Sequence, residues 1–143
     1  MRHAYPFALE AEEDGSAVNV AFPDVPGART FGADEAEARA LAEDCLIAAL
    51  GGYVDLRRPI PAPSPARGRP TVVLPPLVAA KLALYEAMRA ERVTNVALAD
   101  RLGVTEAAVR RLLDLDHRSH IDRIEAALRA LGRRLEVSVW RAA

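Results

Sequence analysis

Apolar and polar positions alternate along the first part of the chain, as expected for strands with one buried face. Residues 5–12 and 17–22 both show this period of two. The stretch between them contains Asp14-Gly15, a strong local signal for a hairpin turn. Residues 28–31 favour a short third strand, which follows a rigid turn with two prolines and a glycine at residues 23–27.

The apolar spacing changes to that of a helix over residues 34–50. Asp34 is a candidate N-cap, and the acidic first turn complements the helix dipole. Gly51-Gly52 is expected to end this helix. The residues expected to face inward are Ala38, Leu41, Ala42, Cys45 and Ala49. Such an alanine-rich face predicts close packing of the helix on the sheet.

Five of the ten prolines lie in residues 57–70, where extended, polyproline-like backbone is expected. This segment could be a linker between two domains. We interpret it as a loop inside the first domain, because residues 71–74 have strand propensity and can return to the N-terminal sheet. The boundary then lies near Pro75-Pro76, which gives domains at residues 1–75 and 76–143.

The second domain is predicted to be helical, and its first helix covers residues 77–91. Thr94 caps the next helix, Gly103 stops it, and Thr105 caps the helix that follows. An amphipathic helix over residues 121–131 closes the unit. Two capped helices joined by a glycine-containing turn are typical of a helix-turn-helix, whose second helix lies in the DNA major groove.

Val104 is expected to fill that turn, and Arg110 and Arg111 are expected to face outward from the second helix of the pair. The same pattern fits an ordinary helical hairpin in a small bundle, whose arginines are only solvated. The loop that follows, Asp116-His117-Arg118-Ser119, favours DNA binding, because it carries a cation and a hydroxyl that could meet phosphates. Its candidate contact residues are His117, Arg118 and Ser119.

The last part of the chain returns to strand-like alternation over residues 134–140, with Leu135, Val137 and Val139 on one face. A single strand after a helical domain has no obvious partner in that domain, and an unpaired strand edge is a template for another chain. We therefore predict that two copies pair here as a homodimer. The alternative is that this strand docks on the N-terminal sheet of its own chain.

Charge is distributed unevenly over the 143 residues, although the formal net charge is only −1. Residues 1–65 carry a net charge of −6, and residues 66–143 carry +5. A basic second part suits DNA, and an acidic first part suits a basic partner. With no long apolar run, no signal peptide and a single cysteine, a cytoplasmic protein without a membrane partner is expected.

No catalytic centre is predicted from the sequence. The middle of the first strand has no carboxylate before Glu10, and the other acidic residues lie in turns or on the helix, so a two-metal cluster is not expected. His117 and His120 have no third ligand at a suitable spacing for zinc. The chain also has no glycine-rich phosphate loop and no nucleophile elbow. We therefore expect a protein that is not an enzyme and has no cofactor or metal.

The stretch Val20-Ala21-Phe22-Pro23-Asp24-Val25-Pro26-Gly27, followed by Thr30, Gly32, Asp34, Glu35 and Ala36, resembles the N-terminal domain of HicB antitoxins. The helical part resembles the lambda-repressor-like (Cro/Xre) helix-turn-helix. Together these resemblances imply an α+β protein. Its N-terminal domain would be a βββαβ unit with a degenerate RNase-H-like fold, and its C-terminal domain would be an all-α helix-turn-helix with a dimerising strand.

The resemblance implies a type II antitoxin that binds and inhibits a HicA-type toxin, a basic protein that cleaves mRNA, and that represses its own operon at operator DNA. Asp24 and Asp34 are candidate toxin contacts. A dimer could recruit toxin at both ends, so a larger assembly such as a tetramer is possible. The alternative is a one-component repressor whose N-terminal domain senses a small ligand.

The helix-turn-helix resemblance also implies DNA contacts in the second domain. Carried over by position, with the preceding cap and the following loop included, the candidate residues are Thr94, Thr105, Glu106, Ala107, Ala108, Arg110, Arg111, His117, Arg118 and Ser119. The family often has Gln or Ser where this chain has Glu106, Ala107 and Ala108. Base reading is therefore expected to depend mainly on Arg110 and Arg111.

Overall fold

The computed structural model describes residues 3–142, and the chain divides into two compact units between Pro75 and Pro76. In the described residues, unit 1 contains five strands and one helix, and unit 2 contains four helices. This mixture agrees with the predicted α+β class. Counted by unit, the formal net charge is −4 for residues 1–75 and +3 for residues 76–143.

The strands of unit 1 are antiparallel and form two small sheets. Their bounds are Ala4–Pro6 (β1), Ala8–Ala11 (β2), Val18–Ala21 (β3), Arg29–Gly32 (β4) and Thr71–Val73 (β5). β2, β3 and β4 form a three-stranded sheet in that order, with Leu9, Val20 and Thr30 side by side. β1 pairs with β5, so the prediction that residues 71–74 form a strand returning to the N-terminal strands is confirmed for Thr71–Val73. The expectation of one N-terminal sheet was wrong, because this pair is a two-stranded sheet separate from β2, β3 and β4.

The single strand predicted over residues 5–12 is in fact β1 and β2, so that prediction was wrong. β1 ends at Pro6, which has no N–H to donate to a continuing ladder. The next amide, that of Phe7, donates to the Pro70 carbonyl at 2.9 Å, and the chain then enters the second sheet. Alternation could not show this change, because Tyr5 and Phe7 are both buried as one continuous strand would require.

The helix of unit 1, α1, covers Glu35–Asp55 and begins as predicted at Asp34, whose Oδ1 accepts the Glu37 N–H at 2.8 Å. The predicted stop at Gly51-Gly52 was wrong. Neither glycine has a positive φ, and the left-handed residue that follows the helix is Arg57 at φ 55°. Glycine therefore signals a helix end only where the backbone turns left-handed.

The buried face of α1 differs from the predicted one. Its buried residues repeat every four positions and are Ala38, Ala42, Leu46 and Leu50. Leu41 was expected to face inward but is 37% exposed, and Cys45 and Ala49 are half-buried at the edge of this face. Alanines and leucines occupy more than one face of α1, so the sequence did not show which face is buried.

The helices of unit 2 are Pro76–Glu91 (α2), Asn95–Leu102 (α3), Glu106–Leu113 (α4) and Ile121–Ala130 (α5). All four lie where the sequence predicted helices. Their shared core contains Leu84, Leu98, Val109 and Ile124, each of which is fully buried. The predicted inward face of α2 is confirmed, because Ala80, Leu84 and Met88 belong to this core and Leu77 packs against it.

The C-terminal segment is not a strand, so the prediction of one over residues 134–140 was wrong for the single chain. Leu135 packs against the core of unit 2, but Val137 is 63% exposed and Val139 is 94% exposed. A strand requires a hydrogen-bonded neighbour, and the described part of the chain has none for this segment. Pairing with a second copy stays a prediction.

Candidate functional site

The turn between α3 and α4 is closed by backbone geometry. Thr94 caps α3, because its Oγ1 accepts the Ala97 N–H at 3.1 Å. Gly103 ends the helix in the left-handed conformation at φ 65°. The next amide, that of Val104, donates to the Ala99 carbonyl at 3.0 Å. The expectation that the Val104 side chain fills the turn was wrong, since it is 42% exposed.

α4 separates an apolar face from a charged one. Thr105 caps the helix as predicted, with its Oγ1 3.1 Å from the Ala108 nitrogen. Val109 and Leu112 are buried in the core of unit 2. The opposite face exposes Ala107, Arg110 and Arg111 and leaves Glu106 and Ala108 half-exposed. Most of the predicted DNA contacts on α4 are therefore accessible.

The two arginines of α4 differ in what they contact. The Arg110 guanidinium forms an ion pair with the Glu106 carboxylate one helical turn earlier, and Asn95 of α3 donates to the same carboxylate at 3.3 Å. Hydrogen bonding from Arg110 and then from Asn95 holds the pKa of Glu106 below its usual value. The Arg111 side chain has no hydrogen bond or ion pair within residues 3–142. Arg111 is therefore the arginine of α4 that is available for a ligand.

Replacing Glu106 by glutamine is expected to strengthen non-specific DNA binding, because the substitution removes a negative charge and releases Arg110. The logarithm of the affinity should fall more steeply with the logarithm of salt, by about one unit of slope for one extra phosphate contact. Fluorescence anisotropy with a labelled random duplex at several salt concentrations measures both quantities.

Glu125→Gln is the control for this prediction. Glu125 pairs with Arg129 on α5 at the same four-residue spacing, and the two glutamates have similar exposure, 35% for Glu106 and 34% for Glu125. Both variants gain the same net charge. Equal effects on DNA binding would mean that only the total charge of unit 2 matters, and would contradict a local role for Glu106.

The loop after α4 is organised around a buried lysine. Lys81 of α2 is fully buried, and its Nζ donates to the Arg111 carbonyl and to Ser119 Oγ, both at 2.8 Å. The Ser119 hydroxyl donates in turn to the Arg111 carbonyl at 3.2 Å, and His117 Nδ1 lies 3.1 Å from the same hydroxyl. Burial lowers the pKa of Lys81, and the nearby Asp114 carboxylate opposes this shift.

Sequence reasoning missed Lys81, although two signals were present. It is the only lysine among nineteen basic residues. It also lies within the inward stripe of α2, between Ala80 and Leu84, where a charged residue is unexpected in a helix that packs on a core. A buried cation requires hydrogen-bond partners, so this position predicts that polar groups of another element meet it.

In unit 1 the predicted toxin contact Asp24 binds another part of its own chain. Its Oδ2 accepts both the backbone N–H and the hydroxyl of Ser64 at 2.8 Å. Arg69 donates to Ser64 Oγ at 3.1 Å and to the Pro65 carbonyl at 2.8 Å. Asp24 therefore fastens the proline-rich segment to the turn. Neither Ser64 nor Arg69 was singled out by the sequence, because the contact joins residues forty positions apart.

Asp34, the other predicted toxin contact, is exposed and caps α1. The two aspartates thus bind different segments, and whether either meets a toxin stays a prediction. In the turn that contains Asp24, Val25 is fully buried and Gly27 has φ 94°, which gives this turn a structural role as well.

Within residues 3–142, no helix is long and apolar enough to cross a membrane. The same residues contain no cluster of three or more His, Cys, Asp or Glu side chains that could hold a metal ion.

Comparison with known proteins places unit 1 and the start of α2 in a family. Residues 4–83 match the family described as HicB_like antitoxin of bacterial toxin-antitoxin system. Antitoxin HicB 2 of Photorhabdus laumondii is 41% identical over 133 residues, which cover 93% of this chain and 94% of that protein. The chain belongs to the HicB antitoxin family. The resemblance read from residues 20–36 is thereby confirmed.

Other HicB antitoxins align over nearly the whole chain. Antitoxin HicB of Pseudomonas fluorescens is 37% identical over 137 residues, which cover 94% of each protein. Antitoxin HicB of Escherichia coli is 35% identical over 134 residues, which cover 93% of this chain and 96% of that protein. The likeness to HicB antitoxins therefore includes most of unit 2, although the family match itself ends at residue 83.

Proposed function

We propose that this HicB antitoxin binds and inhibits a HicA-type toxin that cleaves mRNA, and that it represses its own operon by binding operator DNA. Unit 1 would neutralise the toxin without catalysis of its own. Unit 2 would bind DNA as a lambda-repressor-like helix-turn-helix. The observation that carries the DNA-binding part is the arrangement of α3, left-handed Gly103 and threonine-capped α4. On this α4 the Arg111 side chain is exposed and has no hydrogen bond or ion pair within residues 3–142.

The net charges of the two units suit DNA for unit 2 and a basic toxin for unit 1. Unit 2 carries a net +3, and basic residues attract the phosphates of DNA. Unit 1 carries −4, which favours association with a basic, RNA-cleaving protein and raises the rate at which the two meet. We propose that the toxin-facing surface of unit 1 includes Asp24 and Asp34.

Asp34→Asn tests this surface without breaking the helix, because asparagine caps helices about as well as aspartate. Loss of one favourable charge should slow toxin association by roughly threefold at low salt, with little change at high salt. Surface plasmon resonance with immobilised toxin measures this rate. Asp14→Asn is the control, since Asp14 is also exposed and also accepts a local backbone N–H, that of Ser16 at 2.9 Å. Equal slowing by both variants would contradict a specific role for Asp34.

We also propose that the C-terminal segment pairs with that of a second copy, and that Leu135, Val137 and Val139 contribute to the dimer interface. The support is the exposure of Val137, Val139 and Trp140, which is 63%, 94% and 72%. Apolar side chains exposed close together favour a partner, and the strand-like alternation of this segment suits pairing with another chain. Light scattering at micromolar concentration should give the mass of a dimer or a larger assembly, and a monomer would contradict the proposal.

The experiment that tests the proposed function is co-expression with a short basic open reading frame beside the gene. Expression of the neighbour alone should arrest growth, and co-expression of this chain should restore growth and yield a stable complex. The complex or the free chain should also bind DNA from upstream of the gene. Binding of that DNA with no toxic neighbour and no complex would instead favour a one-component repressor.

A further inference from the structure

The polar contacts of Lys81 join three elements of unit 2 at one point. The ammonium lies on α2, the Arg111 carbonyl belongs to the last turn of α4, and Ser119 lies in the loop that precedes α5. Carbonyls in the last turn of a helix have no partner within the helix, and a cation there is favoured by the helix dipole. Lys81 therefore holds the end of α4 and the following loop in one arrangement.

The hydroxyl of Ser119 is fully used inside this arrangement. It accepts from Lys81 Nζ and donates its single hydrogen to the Arg111 carbonyl. His117 Nδ1 lies 3.1 Å from the same hydroxyl oxygen. This contact fixes the imidazole ring through Nδ1, and His117 and Arg118 are both exposed. The loop thus presents His117 and Arg118 outward while its serine is held by the buried lysine.

We infer that Lys81 and Ser119 are positioning residues for DNA binding: they hold the loop between α4 and α5 so that His117 and Arg118 meet the phosphate backbone. The inference deepens the proposed DNA-binding function and rests on it. Phosphate contacts fix the register of a protein on the duplex. A positioned loop would therefore set how α4 and Arg111 enter the groove, although Lys81 itself never touches DNA.

The variants Lys81→Met and Ser119→Ala test the inference, with Ser119→Thr as the variant that keeps the hydroxyl. The probe is duplex DNA from upstream of the gene. Each of the first two variants should weaken binding by about fivefold to tenfold, the scale of one lost phosphate contact, and should reduce the salt slope by about one. Ser119→Thr should bind close to the wild type.

Stability distinguishes positioning from a purely structural role. Methionine has a similar shape and removes a buried charge, so thermal stability should be kept or raised while DNA affinity falls. Lys81 and Ser119 act through the same contacts. The double variant Lys81→Met, Ser119→Ala should therefore bind DNA no more weakly than whichever single variant binds less tightly. Losses that multiply in the double variant would overturn the inference, because they would mean that the two residues act independently.

A single lysine makes the contact visible by spectroscopy. In protein labelled with ¹⁵N-lysine, one side-chain ammonium signal should be observable at neutral pH, since buried and hydrogen-bonded protons exchange slowly with water. Ser119→Ala should shift or broaden this signal, and Ser119→Thr should preserve it. Absence of a protected signal in the wild type would overturn the inference.

The outcomes separate the inference from the proposed function. Wild-type protein that binds no upstream DNA would refute the DNA-binding function, and the positioning role with it. Wild-type binding with unchanged affinity and salt slope in Ser119→Ala would refute the positioning role alone. If Lys81→Met does not fold, the comparison of Ser119→Ala with Ser119→Thr still decides, because Ser119 is only half-buried and alanine leaves its surroundings nearly intact.

Discussion

Gly32→Ala is expected to destabilise the protein by about 3 kcal/mol, a large value for the addition of one methyl group. A Cβ at position 32 would lie 2.4 Å from the backbone nitrogen of Ala38 and 2.9 Å from its Cα. Both atoms belong to the backbone of α1, so no side-chain rotation can relieve the clash. β4 and α1 would have to separate, and the free energy of unfolding from urea titration should fall accordingly.

Gly52→Ala is the control for that prediction. Gly52 lies inside α1 and has no positive φ, and a Cβ built on it would meet no atom from outside its own stretch of the helix within 4 Å. Alanine in a helix interior is more stable than glycine by about 0.5–1 kcal/mol, so this variant should be stabilised. The two substitutions add the same methyl group, but Gly32→Ala should lower the free energy of unfolding and Gly52→Ala should raise it. Wild-type stability in Gly32→Ala would contradict the close packing of β4 on α1.

Arg111→Ala is expected to weaken operator binding by about 1–3 kcal/mol if this arginine contacts a base. The reason is that its side chain is exposed and without an intramolecular partner in the described residues, whereas Arg110 is paired with Glu106. The loss should be larger for the operator than for a scrambled duplex of equal length. Quantitative gel shifts with both duplexes at one salt concentration measure the difference.

Arg129→Ala is the charge control for Arg111→Ala. Arg129 lies near the end of α5 and is 70% exposed. Its replacement by alanine removes the same charge as Arg111→Ala. Arg129→Ala should weaken binding to both duplexes slightly and equally. Equal losses on operator and scrambled DNA for Arg111→Ala would show that Arg111 contacts only phosphate. Losses no larger than those of Arg129→Ala would contradict its place in the interface.

The local signals in the sequence predicted the local structure well. Both threonine caps and the left-handed glycine of unit 2 are where the sequence placed them, because a cap is decided by residues within one turn of each other. The helices of unit 2 were predicted from apolar spacing together with these caps. The paired strand Thr71–Val73 also followed, since a βββα unit leaves an apolar helix face to cover.

Features that depend on distant residues were the ones missed. Asp24 binds Ser64, and Lys81 binds the Arg111 carbonyl and Ser119, across thirty to forty positions of chain. No periodicity in the sequence joins such pairs. The end of α1 was misplaced because the two glycines were judged by residue type, whereas neither adopts the positive φ that a glycine at a helix end supplies.

The contrast between Arg110 and Arg111 was also beyond the sequence. Arg110 and Arg111 are adjacent on one helix, so the sequence analysis expected both of them to read bases. Only the position of Asn95 and Glu106 across α3 and α4 shows that one of them is already engaged. The candidate interface is thereby narrowed to Arg111 on α4, together with the loop that Lys81 and Ser119 hold.

The most direct test of the central claim is an RNA-cleavage assay with the small basic protein proposed as the toxin partner, measured while this chain is titrated in. Both proteins would be purified separately, and cleavage of an mRNA would be followed with time. Cleavage should fall in proportion to added chain and stop at a fixed molar ratio, as in a tight inhibitory complex. Cleavage that continues unchanged at a molar excess of this chain would contradict its role as the antitoxin of that neighbour.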